Sequence, residues 1–316
     1  MSSNLPVPVV VAELVEPEAD LPLVLAARGE SLPAMPQADT DQGLVEIWVK
    51  RHRSDHTRRN YQAQADRFLA FVGKPLRQVR IGDVQAFAAS LEEMAPATRA
   101  NIIAAVKSLL TFGQEVGYLQ FNVGKAVKAP PVKNTLAERI MSQGDTLRMI
   151  ALEPGLRNRT MLTLLYGGGL RLSEARGLRW RDVSERDGGA GQITVYGKGG
   201  KTRVVLLSPD TWRLLAGLRA SSAAPEDANA PLFPSREGGL LDQSQLHRIV
   251  KAAAARAGLS AEVSAHWLRH AHASHALDRG APIHLVQATL GHASVSTTGR
   301  YLHARPSESS ARFLGV

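Results

Sequence analysis

The sequence predicts a mainly α-helical protein with one small antiparallel β-sheet, folded as two domains behind an acidic tail. Three observations lead there. Apolar residues recur at helical spacing through most of the chain after residue 40. Two short alternating runs flank a glycine-rich turn. The chain has 316 residues, more than the roughly 100–200 that one domain takes. Hydrophobic residues make up 44%, enough for packed cores, which excludes wholesale disorder.

Residues 1–40 hold one basic residue, Arg28, against six acids, and six of the 17 prolines. Such a stretch reads as a mobile tail, with Val9–Val15 its one apolar run. A helical domain follows over 41–128. Asp41–His52 opens it with Leu44, Ile47 and Trp48. His56–Val72 places Tyr61, Ala65, Phe68, Leu69 and Val72 on one face, with Asp55 or Ser54 as cap and Gly73-Lys74-Pro75 as breaker. Ile81–Leu91 and Ala97–Val116 complete the domain. Ile102, Ile103, Val106, Leu109 and Leu110 stripe the last helix, and Gly117 closes it. Ala129-Pro130-Pro131-Val132-Lys133-Asn134 is the clearest break in the chain, giving a linker over 129–138 and a second domain over 139–316. There, Thr146–Leu152 and Arg159–Leu165 read as helices, and Ser173 caps another that runs to Leu178. Gln192–Tyr196 and Thr202–Leu207 read as strands around the turn Gly197-Lys198-Gly199-Gly200. Asp210–Leu218, Asp242–Ala257, His266–Arg279 and Ile283–Leu290 are helical, the last two ended by Gly280 and Gly291.

The charge pattern points to a partner. The net charge is +9, yet the tail carries −5, residues 41–135 carry +6 and residues 136–316 carry +8. Both folded parts are basic, which favours nucleic acid over an anionic membrane and suggests two modules forming one clamp on DNA. The chain has no cysteine, so disulfide scaffolds, zinc ribbons, Fe–S clusters and thiol nucleophiles are excluded. No apolar run approaches 18 residues, and the start lacks the basic region of a secretory signal. A cytoplasmic, nucleoid-associated protein with no membrane partner is expected.

Seven of the ten histidines lie between His266 and His303, together with Arg269, Arg300 and Tyr301. His266 and Arg269 are one helical turn apart and share a face. Upstream, Arg171 follows three glycines, Gly167 to Gly169, that let backbone approach a ligand. Arg171, Lys198, His266, Arg269, His292 and Tyr301 together supply two guanidiniums, an ammonium, two imidazoles and a phenol. That set suits attack on a phosphodiester without metal. The phenol attacks, the arginines neutralise the non-bridging oxygens, an imidazole handles the phenolic proton and the lysine protonates the leaving alkoxide.

The boxes occur in a recognisable order: Gly169-Leu170-Arg171-Leu172-Ser173-Glu174, then Gly197-Lys198-Gly199-Gly200-Lys201-Thr202-Arg203, then His266-Trp267-Leu268-Arg269-His270, then Leu290-Gly291-His292, then Tyr301 nine residues later. The sequence here resembles the tyrosine recombinase (phage integrase) family, and its Xer-like members most closely, over about residues 41–316. Thr57-Arg58-Arg59-Asn60-Tyr61 resembles the opening of the family's SAM-like core-binding domain. The resemblance implies that Arg171 and Arg269 clamp the phosphate, Lys198 protonates the 5′ oxygen, and His266 exchanges a proton with the tyrosine. It also implies that His292 fills the third clamp position, Tyr301 forms a 3′-phosphotyrosine and Glu174 supports the site. Arg58, Arg59, Lys107, Lys201 and Arg203 are the expected DNA contacts. The implied partner is double-stranded DNA with inverted-repeat core sites, synapsed by a homotetramer through a Holliday junction, with a second recombinase or accessory protein as a further candidate. No metal or other cofactor is implied. Two departures stand out. Gly168 replaces a frequent threonine, and the acidic tail stands where lambda-type integrases carry a basic arm-binding domain. Ser307–Val316 resembles the family's C-terminal segment that docks on a neighbour.

Each residue alone carries little weight. Lys201 competes with Lys198 on the same turn. His270, His272, His275 and His284 read as structural or solvent-facing, with His270 placed to pack beneath the site, and Trp267 and Leu268 read as core. A Walker A loop ending at Gly200-Lys201-Thr202 fails because residue 195 is Val195 rather than glycine. A zinc helix on His266 and His270 fails because Trp267 stands where glutamate is needed. A DNA-binding regulator without catalysis is disfavoured because none of the six catalytic positions is substituted.

Overall fold

The structure is a computed structural model that describes residues 38–128, 131, 133–197, 200–222 and 225–304. The tail before Ala38, part of the proline linker, Lys198 and Gly199 at the hairpin tip, and the Ser307–Val316 segment lie outside the described residues. The chain divides into two compact units between Lys133 and Asn134. Among the described residues no helix is long and apolar enough to cross a membrane.

The first unit is built of α1 (Asp41–Lys50), α2 (Asp55–Val72), α3 (Ile81–Ala89) and α4 (Pro96–Glu115). The cap of α2 is Ser54, whose hydroxyl accepts from the Thr57 N–H at 3.4 Å, while Asp55 is the first helical residue. Gly73 closes α2 at φ 60°, a left-handed geometry that costs glycine little. Trp48, Phe68, Phe87, Val106, Leu109 and Leu110 are buried together, so the apolar stripes of the helices meet in one core. Asp41 adds a polar tie, because its carboxylate accepts from the Leu76 N–H at 2.9 Å and from the Tyr118 hydroxyl at 2.7 Å. The start of α1 is thereby fixed to the chain after α2 and after α4.

The second unit carries α5 (Gln143–Ala151), α6 (Leu156–Gly167), α7 (Leu172–Gly177), β1 (Val183–Arg186), β2 (Ala190–Tyr196) and β3 (Thr202–Leu207). It continues with α8 (Pro209–Ala220), α9 (Gln243–Arg256), α10 (Ala265–Asp278), α11 (Ile283–Leu290) and α12 (Val295–Ala304). The sheet is antiparallel in the order β1-β2-β3, with Val183 opposite Ile193 and Val195 opposite Arg203. Strand β1 had no apolar alternation to announce it. Ser184, Glu185 and Arg186 are exposed, so this edge strand is held mainly by backbone pairing, helped by Val183 against the core and by the Arg186 guanidinium donating to the Gln192 side-chain carbonyl at 2.7 Å. Helix α12 was also missed, because Val-Ser-Thr-Thr-Gly is a poor helical sequence. Burial of Thr298 and Tyr301 holds it in place. A large core gathers Leu162, Leu165, Trp180, Ile193, Val205, Phe233, Leu246 and Leu268. A smaller one joins Leu136, Ile140, Ala273, Val286, Leu290 and Tyr301, seating α12 on α10 and α11.

Burial, then the bond to Asp41, pushes the Tyr118 phenol up to about 12. Asp41→Asn should lower that value in a spectrophotometric titration. It should also cost about 1–3 kcal/mol in urea unfolding, the range for part-buried donors, here the Leu76 N–H and the Tyr118 hydroxyl, that lose a good acceptor. An unmoved Tyr118 titration would show that desolvation alone sets it.

Candidate active site

The site begins where α6 ends. Gly169 takes φ 58°, and a Cβ there would sit 2.7 Å from Leu290 and 2.9 Å from the His272 ring, so only glycine lets this turn press against α10 and α11. Leu170 is buried as an anchor, and Arg171 follows in extended backbone at the N-cap of α7. Ser173 does not cap this helix. The Glu174 carboxylate does so instead, accepting the Arg171 N–H at 2.8 Å. The same carboxylate accepts the Arg171 guanidinium at 2.8 Å and a two-pronged pair from Arg203 at 2.9 and 2.8 Å. Burial alone would push this carboxyl up. The bonds from Arg203 and Arg171 override it and hold Glu174 at about 2.

Arg203 was expected to face DNA. Its side chain is only 11% exposed, and its guanidinium turns inward, with Nη1 and Nη2 on Glu174 and Nε donating to the Thr289 carbonyl at 2.6 Å. Glu174 thus links α7 to β3, and Arg203 carries the link on to the end of α11. The base of the hairpin lies here too, since a Cβ on Gly197 would come 3.6 Å from Glu174 Oε1. Lys198, the next residue, lies outside the described residues.

Helix α10 supplies the second arginine. Arg269 is 4% exposed and donates to the Gly169 and Leu290 carbonyls, the latter at 2.6 Å. Desolvation, then repulsion from Arg171, pulls its guanidinium down to about 10, against upward pulls from Glu174 and Tyr301. His266, one turn earlier, is exposed and is lowered by partial desolvation, then by Arg269, Arg171 and His247. Gly291 closes α11 at φ 64° and delivers His292, whose Nδ1 lies 2.9 Å from the buried Thr298 hydroxyl on α12. Desolvation, then Arg269, Arg171 and Arg203, brings His292 down to about 4.

Tyr301 is 6% exposed on α12, and burial raises its phenol above the ordinary value against the pull of Arg269 and Arg300. Its hydroxyl lies 2.8 Å from Nδ1 of His270. Arg269 is therefore the common electrostatic neighbour of Arg171, His266, His292, Tyr301 and Glu174. Sequence reasoning had set His270 aside as packing, although it shares the box of Arg269 and stands four residues after His266. Thr298, which fixes the His292 ring, was missed outright. His272 and His275 are structural, bonding the Tyr166 carbonyl at 2.7 Å and the Tyr166 hydroxyl at 3.0 Å, and His284 is exposed. Among the described residues no three His, Asp or Glu side chains gather as metal donors. Of the expected DNA contacts, Arg59 and Lys201 are exposed, Arg58 bonds the His52 carbonyl at 2.6 Å and Asp55 at 3.3 Å, and Lys107 bonds the Val127 carbonyl at 2.6 Å.

Residues 137–308 match the model of the phage integrase family, and residues 42–115 match its N-terminal SAM-like domain. The chain belongs to the phage integrase family. Over 283 residues, 84% of this chain and 89% of the relative, this integrase-family protein is 34% identical to tyrosine recombinase XerC of Brucella suis biovar 1. Its fold is similar to that of a XerH site-specific recombinase bound to its difH substrate, with TM-score 0.67 and 22% identity over 88% of this chain and 84% of that one. It is also similar to a lambda integrase in a tetramer bound to a Holliday junction, with TM-score 0.68 and 18% identity over 90% and 82% of the two chains.

Glu174→Gln should destabilise this integrase-family protein, because Arg203 would be left buried without its counter-charge; removing one member of such a pair costs about 3–5 kcal/mol. The sign of the pH dependence follows from the lowered carboxyl. Its stabilisation is complete above the ordinary value of 4.5 and is lost as pH falls towards about 2. Wild type should therefore lose stability over that window in acid unfolding, and the Gln variant should lose markedly less. Equal slopes would place the acid sensitivity elsewhere.

Proposed function

We propose that this protein is a site-specific DNA recombinase that cleaves and rejoins duplex DNA through a 3′-phosphotyrosine on Tyr301. The observation that carries the reading is the convergence of Arg171 and Arg269 with His292 and the Tyr301 phenol around one carboxylate-braced turn. Arg171, Arg269 and His292 are three positively charged or protonatable groups, and Arg203 shares the Glu174 carboxylate with Arg171, so this one anion does not balance the site. A phosphodiester supplies a second anion.

In this reading the guanidiniums of Arg171 and Arg269 hold the non-bridging oxygens and gain strength as charge builds in the pentavalent transition state. His266 and His292 line the same phosphate. Tyr301 attacks phosphorus, the bond to the 5′ oxygen breaks, and Lys198 protonates that leaving oxygen. The new phosphotyrosine ester keeps the energy of the broken bond, so rejoining needs no nucleotide and no metal. Arg58, Arg59, Lys107 and Lys201 contact the DNA backbone. The family match supports inverted-repeat core sites as substrate, and the lambda integrase tetramer on a Holliday junction supports a homotetramer that exchanges strands in pairs. A second recombinase or accessory protein fits the same assembly. Resolution of dimers or cointegrates and integration or excision of a mobile element are the jobs such chemistry serves.

The test is covalent capture. Incubated with a random-sequence duplex pool in EDTA, wild type should retain DNA on a denaturing gel. Tyr301→Phe should bind as well in a native gel and capture nothing. Captured DNA with the Phe variant would remove Tyr301 as nucleophile, and strand cleavage without capture that stops in EDTA would point to a metallonuclease.

On the captured sequence, Arg171→Ala should cut the cleavage rate by about 10²–10³-fold, the usual loss for one transition-state donor, with a far smaller loss of binding. Parallel losses would move Arg171 out of the chemistry.

A further inference from the structure

We propose that Thr298 is a positioning residue: its buried hydroxyl holds His292 as a neutral imidazole with the hydrogen on Nε2, so that the ring meets the scissile phosphate as a hydrogen-bond donor of fixed direction. The inference rests on the recombinase reading above and says how one of its phosphate ligands is held. The geometry starts with a hydroxyl that has one partner. Thr298 lies on α12 with no exposed surface, and among the described residues its Oγ1 meets only Nδ1 of His292, at 2.9 Å. Other buried or half-buried helical threonines behave differently. Thr146, Thr160 and Thr163 each give the hydroxyl proton to the carbonyl four residues back, at 2.8, 2.8 and 2.9 Å.

Thr298 makes no such bond, so its proton has one acceptor within reach, the Nδ1 lone pair. If Nδ1 carried a hydrogen instead, Oγ1 would have to accept it, and the Thr298 proton would be buried without a partner, which folded proteins avoid. The imidazolium meets the same objection, since it carries hydrogen on both nitrogens. One hydroxyl therefore selects one of the three forms of the ring, the neutral one with Nε2–H.

The rest of the residue is held as firmly. Gln287 on α11 takes the His292 backbone from both sides: its carbonyl accepts the His292 N–H at 3.1 Å, and its side-chain amide donates to the His292 carbonyl at 3.1 Å. Gly291, just before, lies against Arg203, where a Cβ would come 3.2 Å from the guanidinium. With the backbone fixed from α11 and Nδ1 fixed from α12, Nε2 is the nitrogen left for a ligand. Its surroundings are cationic. Desolvation, then Arg269, Arg171 and Arg203, brings the imidazole down to about 4, so the ring is neutral at neutral pH. An N–H donor set among guanidiniums is matched by an anionic acceptor, and a non-bridging phosphate oxygen is one. Thr298 also stands one turn before Tyr301 on the same buried face of α12. A single contact thus aligns a phosphate donor with the helix that carries the nucleophile.

The experiment compares wild type, Thr298→Val, Thr298→Ser, His292→Ala, the double variant of Thr298→Val with His292→Ala, and Tyr301→Phe on duplexes that wild type captures from a random-sequence pool. Val copies the shape of Thr without the hydroxyl, and Ser keeps the hydroxyl. Thr298→Val should bind DNA normally and capture it about 10- to 100-fold more slowly, the usual loss when the group that orients a functional imidazole is removed. Thr298→Ser should recover most of the rate. In the His292→Ala background, Thr298→Val should cost less than about twofold, because the ring it orients is gone. A full additive loss there would mean that Thr298 serves only the packing of α12 and would overturn the proposal, as would a Ser variant no faster than Val. A second readout needs no DNA. In protein labelled with ¹⁵N-histidine, the His292 signals, assigned by their absence in His292→Ala, should show hydrogen on Nε2 and none on Nδ1 at neutral pH, and Thr298→Val should mix the two forms. Hydrogen on Nδ1 in wild type would refute the inference. Wild type that captures no more DNA than Tyr301→Phe would sink the recombinase reading and this inference with it, whereas additive losses or the reversed tautomer in a wild type that captures DNA would leave that reading standing.

Discussion

The carboxylate of Glu174 is almost wholly buried, and it could not remain charged there without partners. It accepts from the backbone and guanidinium of Arg171 and from both arms of the Arg203 fork. This one anion lets two guanidiniums sit close together, and through Arg203 it reaches the last turn of α11. The turn that presents Arg171, the strand that leads from the hairpin and the helix that delivers His292 are all referred to it. Such a buried ion network is a poor source of net stability, since desolvation offsets most of the attraction. Its consequence is geometric: the cations have one arrangement rather than many.

The arrangement is electrostatically incomplete. Arg171 and Arg203 share one carboxylate with Arg269 close by, and burial first, with the cationic neighbours after it, disfavours the charged form of the nearby imidazoles. His292 and His270 both fall to about 4, with desolvation as the first cause and the arginines among the rest. A site prepared in this way has its donors oriented and its charge unsatisfied before the substrate arrives. Little reorganisation is then required when negative charge develops on a bound phosphate, which is the physical source of transition-state stabilisation in preorganised sites. The polar bond between Thr298 and His292 and the seating of Tyr301 on α10 extend the same preparation to the helix that carries the nucleophile.

Much of the fold was legible because long helices bury one face. The stripe of Ile102, Ile103, Val106, Leu109 and Leu110 announced α4, and Ile193 and Val195 against Val205 and Leu207 announced the hairpin. The two elements that were missed had no such signature. Strand β1 exposes Ser184, Glu185 and Arg186 and depends on backbone pairing, and α12 has polar and glycine residues where helix formers would stand. Ser173 read as a cap because serine favours that position, but the Glu174 carboxylate took it from inside the helix. Arg203 read as a DNA contact because it follows a basic hairpin turn; nothing local shows that a buried carboxylate 29 residues upstream awaits it.

Alone, the sequence determined the chemical inventory and its order: the arginines, the imidazoles, the phenol and the glycines that give the backbone its close turns. These follow from residue identity and short-range spacing, which a linear chain displays in full. Only the tertiary structure decided which imidazole meets the phenol. His266 and His270 lie on one face of one helix, and spacing along α10 cannot distinguish them. The choice is made by α12, whose packing against α10 and α11 sets the Tyr301 hydroxyl beside His270. A contact between residues 31 apart depends on how two helices settle against a shared core, and that is a property of the packed molecule rather than of any stretch of its chain.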